Sequence, residues 1–391
     1  MLQSTPRAAA PPQPVRPRAD PPRVCLLSEH LAGTPDEGVR KFTLELANAL
    51  RRREHVAVLV TEGEAPFPGA RLVPASRTFL SVRMRSELSR LQPEALIYVA
   101  RSSTTMMAFV RSRILKTYCP RARVVLVGLQ ARRHKRLSQH LIRYLAPDLV
   151  CVQSPESQRY LAALGCSVVL LPSGVDVQKF HPVTPERRRE LRSQYGLDSA
   201  TPVALHVGHL KTGRGVRVLA ELAARRECQV VLVASSSTPQ EAQLAQELHS
   251  AGVVVFSQYL AQIEQLYQLA DCYVFPVQST DNALEVPLSV LEAFACDLPV
   301  VTTRFAGLPR LFADRPQPGL VFVDSPDELV TQAIRLSRHG PGGTRPLALP
   351  YSWDAIAASL LDRALAKCTA NTPNTLRPAH NGADPEGATG A

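Results

Sequence analysis

The sequence predicts an α/β protein with two domains, each built on a doubly wound parallel sheet. With 391 residues, the chain is long enough for two domains of ordinary size. Short, continuously apolar runs alternate with amphipathic helical patterns, which is typical of parallel strands covered by helices on both faces. The alternation breaks near residues 172–200 and then restarts. A ligand crevice is therefore expected between the two sheets, at the carboxyl ends of their strands.

The first half opens with a strand at Val24–Ser28 and a helix at Val39–Arg51, in which Phe42, Leu46 and Leu50 lie on one face. Further strands are predicted at Val56–Thr61, Ala95–Ala100, Arg123–Gly128 and Leu149–Gln153, and helices at Thr105–Tyr118, Lys135–Leu145 and Pro155–Leu164.

The second half repeats the pattern. Strands are predicted at Val203–Val207, Gln229–Ala234, Cys272–Phe275 and Pro299–Thr302, and helices at Val216–Ala224, Gln240–Ser250, Ala261–Leu269 and Leu288–Ala295. A last helix, Trp353–Ala366, follows the Pro- and Gly-rich segment Gly340–Pro350 and is expected to cross back onto the first domain.

The predicted domain limits follow from these patterns. The Pro- and Arg-rich leader 1–22 has no apolar block of signal-peptide length, and the tail 369–391 is equally poor in apolar residues, so both are expected to be disordered. Between them we expect a first domain at 23–172, a second at 173–350 and the returning helix at 351–368.

The eight cysteines contain no C-x-x-C pair, and several lie inside apolar runs. This pattern favours buried, reduced thiols in a cytoplasmic protein over a disulfide framework or a zinc site. The ten histidines are scattered, and no metal site is predicted.

Positive charge is concentrated in the first half. Residues 1–172 carry 26 Lys and Arg against 12 Asp and Glu, whereas the remainder carry 19 against 22. Between Glu94 and Asp148 there are eleven cations and no carboxylate. Such a field favours an anionic membrane surface, a phosphorylated or lipid-diphosphate acceptor, or nucleic acid. The alternative is a basic surface that contributes only to solubility. Nucleic acid is disfavoured because few aromatic residues interleave with the cations.

The segment Arg101–Lys116 has two interpretations. It places Met106, Met107, Phe109 and Val110 among cations, as in a helix that lies on an anionic bilayer at the inner face of the cytoplasmic membrane. The alternative is that these apolar residues belong to the core of the first domain.

Two strand-to-helix turns carry glycine. Ser28–Lys41 (SEHLAGTPDEGVRK) contains Gly38 at a helix entrance, where backbone amides and the helix dipole favour an anion. Val207–Gly215 (VGHLKTGRG) adds cations to three glycines, a combination that suits a diphosphate. For each of these turns, the alternative interpretation is an ordinary loop that binds no ligand.

A third segment contains a lone carboxylate. Glu292 lies in a helix of apolar and small residues within Asn282–Pro299. An unpaired buried carboxylate costs several kcal/mol, so Glu292 requires a polar partner, either vicinal ribose hydroxyls or a structural hydrogen bond.

Together these segments resemble glycosyltransferase family 4, which comprises retaining enzymes of the GT-B architecture. LPSGVDVQKFHP resembles the interdomain signature P-N-G-V-D-x-x-x-F-x-P, and VGHLKTGRG resembles the loop G-R-L-x-x-x-K-G. The segments Phe256–Pro276, PLSVLEAFACDLPVV and Tyr351–Asp354 resemble the base-contacting region, the second half of the E-x7-E motif and the closing F-S-W-E. The resemblance covers roughly Arg23–Lys367.

The resemblance implies roles for individual residues. His209 and Arg214 take the places of the two cations that hold the donor diphosphate, with Lys211 assisting. Glu292 matches the glutamate that holds the nucleotide ribose. The first glutamate of E-x7-E falls on Leu284, and its neighbour Glu285 is the candidate replacement. Glu292, Arg214 and Glu285 are thus the predicted catalytic residues.

The family's histidine near the reacting sugar has Gln130 as its nearest counterpart, and the Asn282–Pro287 loop is expected to face the sugar. Amides at Leu288 and Ser289, which open a helix, are expected to contact phosphate. The complete predicted donor site comprises Gly38, Gly208, His209, Lys211, Arg214, Ser257, Tyr259, Leu288, Ser289 and Glu292.

These features predict a retaining glycosyltransferase that moves a hexose-type sugar from UDP or GDP to a glycan or lipid-linked acceptor of the cell envelope, without metal or cofactor. One alternative is a non-catalytic GT-B scaffold that binds a sugar nucleotide or a partner. A sugar-nucleotide epimerase is a second alternative, which the closing F-S-W-E-like segment disfavours.

Overall fold

The computed structural model describes residues 23–34, 36–280, 283–312, 317–340 and 342–366, and it contains two parallel sheets. The predicted leader, the tail, Asn282 and the last residues of the returning segment lie outside these ranges. The order of the first sheet is β3-β2-β1-β4-β5-β6-β7, and that of the second is β10-β9-β8-β11-β12-β13. Both orders reverse direction beside the first strand of the sheet, as doubly wound sheets do. The predicted α/β class is confirmed.

In the first domain, each parallel strand is followed by a crossover. Its strands are β1 (Val24–His30), β2 (Val56–Glu62), β3 (Ala70–Leu72), β4 (Ala95–Val99), β5 (Arg123–Val127), β6 (Leu149–Val152) and β7 (Val168–Leu170), and its helices are α1 (Gly38–Arg53), α2 (Val82–Leu91), α3 (Met106–Tyr118), α4 (Arg136–Leu145) and α5 (Pro155–Ala163).

The second domain repeats this arrangement. Its strands are β8 (Val203–Gly208), β9 (Gln229–Ala234), β10 (Val254–Phe256), β11 (Cys272–Phe275), β12 (Val300–Thr303) and β13 (Leu320–Val323). Its helices are α6 (Pro185–Gln194), α7 (Val218–Ala224), α8 (Ala242–Ser250), α9 (Glu264–Leu269), α10 (Leu288–Ala295), α11 (Leu308–Leu311), α12 (Pro326–Ser337) and α13 (Arg345–Ala348), and the chain ends its described part in α14 (Trp353–Leu365).

Each sheet is covered on both faces by apolar side chains. On the first sheet, α1 and α14 pack on one face, whereas α2, α3, α4 and α5 contribute to the core on the other. The last helix therefore lies on the first domain, where the Trp353 ring meets Phe42 edge-on at 5.3 Å. This packing places the carboxyl ends of both sheets at one interdomain cleft.

The chain crosses between the domains twice at one point. Val175 donates to the Tyr351 carbonyl at 2.8 Å, and Trp353 donates to the Val175 carbonyl at 3.1 Å, so the two crossings form a parallel bridge. Beside this bridge, the Trp353 ring lies directly on the backbone of Gly174.

The interpretation of Arg101–Lys116 as a helix on a bilayer is wrong. Phe109 on α3 is fully buried, and Arg111 is nearly so, because its guanidinium pairs with Glu29 and donates to the Tyr98 hydroxyl. Phe109 thus belongs to the core, Met106 packs against it, and Arg111 is paired inside a buried network.

The cysteines of the described ranges are buried free thiols. Burial raises the pKa of Cys119 and Cys166 to about 11, so these thiols stay protonated and unreactive at neutral pH. No helix in the described ranges combines the length and the hydropathy that crossing a bilayer requires.

Candidate functional site

A cleft with about 1340 Å³ of empty space, open solvent at its mouth included, lies between the carboxyl ends of the two sheets. Residues from β1–α1, β8, β11 and α10 line it. Of the predicted site residues, the cleft brings together Gly38, Gly208, His209, Arg214, Tyr259, Leu288, Ser289 and Glu292. Lys211 and Ser257 are near these residues in sequence but are not among the described residues that line the cleft.

The loop after β8 presents its cations by a tight turn. Thr212–Arg214 forms a short 3₁₀ helix that ends at Gly215, whose φ is +69°. A Cβ at Gly215 would lie 2.6 Å from the Pro276 carbonyl oxygen, so only glycine fits both the conformation and the close approach. The turn thereby holds Arg214 at the cleft.

His209 lies beside Arg214 at the end of β8. Burial lowers the pKa of its imidazole, and the positive charge of Arg214 lowers this pKa further. His209 is therefore neutral at pH 7 and can donate one hydrogen bond, while Arg214 supplies the fixed charge of the loop.

Helix α10 opens on the cleft without a side-chain cap. Its N-cap residue is Pro287, and the first helical residues, Leu288 and Ser289, line the cleft. The first amides of a helix have no partner within the helix, so this end combines donors with the positive end of the helix dipole. It suits a phosphate group.

The other helix entrance differs from the prediction. The Glu37 carboxylate accepts from the amides of Val39 and Arg40 at 3.1 and 2.9 Å and thus caps α1 itself. Gly38 lines the cleft for another reason: a Cβ there would lie 3.0 Å from Leu284 Cδ1. The entrance to α1 is a packing contact between domains, because its amides are already occupied by Glu37.

Glu292 has the polar partners that its burial requires. Its carboxylate is 4% exposed, with Oε1 2.5 Å from Lys41 Nζ and Oε2 accepting from the Tyr267 hydroxyl at 2.9 Å. Lys41 belongs to α1 of the first domain, so this ion pair bridges the cleft. A ligand that binds Glu292 Oε1 must compete with Lys41.

The predicted role of Glu285 requires a correction. Its carboxylate accepts from the Ser154 hydroxyl and, at 2.9 Å, from the Ser157 hydroxyl, and its amide donates to the Leu129 carbonyl. These partners all belong to the first domain. Glu285 therefore joins the two domains, and it is not among the described residues that line the cleft.

We expect Glu285→Gln to lower stability without weakening nucleotide binding. Burial raises the pKa of the Glu285 carboxyl, while the two serine hydroxyls oppose that rise. Replacing the acceptor of two hydroxyls by an amide costs about 1–2 kcal/mol. Urea unfolding and a nucleotide titration measure both effects. A weakened nucleotide affinity at unchanged stability would contradict this assignment.

Three further cleft residues did not emerge from the sequence. Besides Lys41, Asp36 closes the mouth of the cleft by accepting from the amides of Ser236 and Ser237 in the other domain, at 2.6 and 3.1 Å. His206 is buried inside β8, with Nδ1 2.8 Å from the Val274 carbonyl and no partner at Nε2 among the described residues. Of these three residues, only His206 could have been recognised from the sequence, because it is a lone polar residue in an apolar strand.

Residues 201–339 match the family described as glycosyl transferases group 1. This match lies within the second domain and extends from β8 to the end of α12. The matched residues include the loop after β8 and helix α10, which carry His209, Arg214 and Glu292.

Solved structures with the same fold support the architecture of the whole chain. HepE from Anabaena, crystallised with UDP, superposes with a TM-score of 0.68 at 16% identity, over 87% of this chain and 99% of that one. WaaG, a glycosyltransferase involved in lipopolysaccharide biosynthesis, gives 0.55 at 16% identity, over 88% and 100%. The predicted GT-B architecture of the chain is confirmed.

Relatives in sequence include a sugar-phosphate synthase and a mannosyltransferase. The chain is 26% identical to alpha-maltose-1-phosphate synthase of Mycobacterium tuberculosis, over 50% of this chain and 56% of the relative. It is 27% identical to a GDP-mannose-dependent phosphatidylinositol monomannoside mannosyltransferase of Corynebacterium glutamicum, over 52% and 58%. The chain thus matches little more than half the length of these relatives.

Proposed function

We propose that this protein is a retaining glycosyltransferase that moves a hexose-type sugar from a nucleoside diphosphate to a glycan or lipid-linked acceptor at the cytoplasmic side of the cell envelope. The observation that supports it most is the convergence on one cleft of a fixed cation, an uncapped helix end and a buried carboxylate. These three groups match the diphosphate and ribose of a sugar nucleotide.

The diphosphate is assigned to the floor of the cleft. Arg214 supplies charge and two hydrogen bonds, and His209 supplies one more. The amides of Leu288 and Ser289, where α10 begins, supply further donors to the diphosphate. Charge that develops on the leaving diphosphate is then stabilised by donors that are already in place.

The ribose is assigned to Glu292. The vicinal hydroxyls of the ribose replace Lys41 at Glu292 Oε1, while the Tyr267 hydroxyl continues to donate to Glu292 Oε2. This exchange keeps the buried carboxylate satisfied with and without ligand. Tyr259, which is 44% exposed at the cleft, lies on the segment assigned to the base.

Transfer then requires positioning more than a protein base. The bond between the anomeric carbon and the diphosphate breaks while the acceptor oxygen bonds to the same face of that carbon. Configuration is retained because the bond forms and breaks on the same face, and the acceptor proton passes to the leaving diphosphate. We propose that no divalent metal takes part, because Arg214 and the helix end neutralise the diphosphate.

A second candidate, a non-catalytic scaffold, is favoured by Leu284. This residue occupies the position implied for the first glutamate of E-x7-E, is 9% exposed, and packs with the core of the first domain. An apolar contact therefore stands where hydroxyls of a donor sugar would be bound.

Nucleotide release from UDP-, GDP- and ADP-sugars, with and without extracted lipids, tests both candidates. We expect release from one donor in the wild type, stimulated by the acceptor. Glu292→Gln should weaken nucleotide binding and turnover roughly tenfold to a hundredfold, since a hydrogen bond to a charged group is lost. Glu247→Gln, an exposed change on α8, is the control.

Lys41→Met separates the ribose role from domain pairing. If Glu292 holds ribose, removing its competitor leaves nucleotide affinity unchanged or improves it. If Glu292 acts only by joining the domains, Lys41→Met reproduces the loss seen in Glu292→Gln. Tight nucleotide binding without release from any donor would refute the transferase and support the scaffold.

A further inference from the structure

Helix α4 turns most of its large apolar side chains toward solvent. Leu137, Leu141 and Tyr144 are 76%, 46% and 63% exposed, and only Ile142 of this helix is buried. The spacing of four and then three residues places the exposed side chains along one stripe. A stripe of this kind is unfavourable in water unless another apolar phase covers it.

Basic residues surround the stripe. Lys135, Arg136, His140 and Arg143 are exposed on or immediately before α4, and the helix contains no carboxylate. The surrounding sequence is equally one-sided, since no Asp or Glu occurs between Glu94 and Asp148. The Arg143 guanidinium stacks on the Tyr144 ring at 4.6 Å, so apolar and cationic groups share one surface.

The start of α4 is rigidly attached beside the cleft. Gln130 lines the cleft, and α4 begins six residues later. Between them, the His134 ring stacks on Tyr160 and its Nε2 lies 2.8 Å from the Thr104 carbonyl. Gln139 on α4 donates to the His134 carbonyl at 2.8 Å. A surface bound to α4 therefore has a fixed orientation relative to the cleft.

We propose that this face of α4 docks on an anionic lipid bilayer. Leu137, Leu141 and Tyr144 enter the boundary between headgroups and acyl chains, and the surrounding cations contact the headgroups. An amphipathic helix with cations beside its apolar stripe binds in this way. Binding does not depend on sugar transfer, but it would hold the cleft next to lipid-linked acceptors.

A second copy of the chain fits this face less well. Three side chains cover a few hundred Å² at most, whereas a stable interface needs about 800 Å² per partner. A symmetric contact would also bring the same cations of both copies together. Charge complementarity instead favours an anionic surface without a fixed shape.

Sedimentation of the full chain with lipid vesicles tests the proposal. We expect binding to vesicles of phosphatidylcholine mixed with phosphatidylglycerol, weak binding to phosphatidylcholine alone, and loss of binding at high salt. Leu137→Ser/Leu141→Ser/Tyr144→Ser and, separately, Arg136→Gln/Arg143→Gln should each weaken vesicle binding at least tenfold. Because these side chains are exposed, thermal unfolding should be unchanged.

Two matched controls lie in the second domain. Val254→Ser/Leu349→Ser removes exposed apolar side chains, and Arg187→Gln/Arg189→Gln removes exposed cations of α6. Both should bind vesicles as the wild type does. The proposal is overturned if the wild type does not bind anionic vesicles, or if the controls lose as much binding as the α4 variants. A dimer in sedimentation equilibrium that the α4 triple variant abolishes would also overturn it, by assigning the face to a second copy.

The α4 experiment and the nucleotide-release experiment fail independently. A protein that binds vesicles and releases no nucleotide retains the docking surface and loses the proposed transferase activity. A protein that releases nucleotide without binding vesicles retains the activity and loses the docking surface.

Discussion

Replacing Gly174 by alanine is expected to destabilise the protein by about 3 kcal/mol, at the upper end of the range for an overpacked core. A Cβ at this position would lie 2.5 Å from Cδ2 and Cε3 of Trp353, closer than Cβ atoms approach a ring in real structures. The ring cannot withdraw easily, since it is 4% exposed and packs against Phe42. The clash lies where the chain crosses between the domains, so the substitution should also disturb how the two domains pack around the cleft.

Urea and thermal unfolding measure the effect of Gly174→Ala. Gly213→Ala is the matched control, because a Cβ at Gly213 meets nothing within 4 Å and should change stability little. Trp353→Leu should lower stability on its own, but combined with Gly174→Ala it should cost less than the sum of the two changes, because the ring that clashes is gone. Equal stability of Gly174→Ala and the wild type would show that the ring does not lie on this backbone.

The fold was predictable where elements have a periodic apolar pattern. The strands and helices predicted in both halves are present, with ends that coincide or differ by at most three residues. Two of the elements that were not predicted lack such a pattern: β3 (ARL) is short and partly exposed, and α6 (PERRRELRSQ) has one large apolar residue, Leu191. Others, such as β13 (LVFV) and α12 (PDELVTQAIRLS), have an apolar pattern and were nevertheless not predicted. A helix that depends on one buried leucine and on tertiary contacts leaves little trace in the sequence.

The part of the candidate site that belongs to the second domain was predictable residue by residue. His209, Arg214 and Glu292 lie on strand-to-helix turns and a helix whose positions follow from the sequence. The partners across the cleft were not predictable, because Lys41 reaches Glu292 only when the domains face each other. Glu285 was misassigned for the same reason. Its carboxylate accepts hydrogen bonds from Ser154 and Ser157 of the other domain, and its neighbours in sequence do not reveal these partners.

His206 is expected to make the protein sensitive to acid. The ring is 1% exposed, and burial lowers the pKa of its imidazole from 6.5 to about 4. The Val274 carbonyl can only accept a hydrogen bond, so Nδ1 carries the proton of the neutral ring and Nε2 stays unprotonated. The nearby positive charge of Arg214 opposes a second proton.

The direction of the effect follows from where the proton binds. Between pH 6.5 and about 4, the unfolded chain protonates His206 and the folded chain does not. The free energy of unfolding is therefore unaffected by the titration of His206 above pH 6.5, and protonation of the unfolded chain lowers it as the pH falls toward 4. A pKa difference of this size corresponds to about 3 kcal/mol over the whole window.

Urea unfolding of the wild type and His206→Asn at pH 7 and pH 5 measures this contribution. Asparagine keeps a donor for the Val274 carbonyl and removes the titrating group, so the variant should lose less stability between the two pH values, whatever its stability at pH 7. His249→Asn on the exposed end of α8 is the control and should keep the pH dependence of the wild type. If His206→Asn and the wild type lose equal stability on acidification, the proton is taken up elsewhere, and the lowered pKa of His209 makes that residue the next to replace.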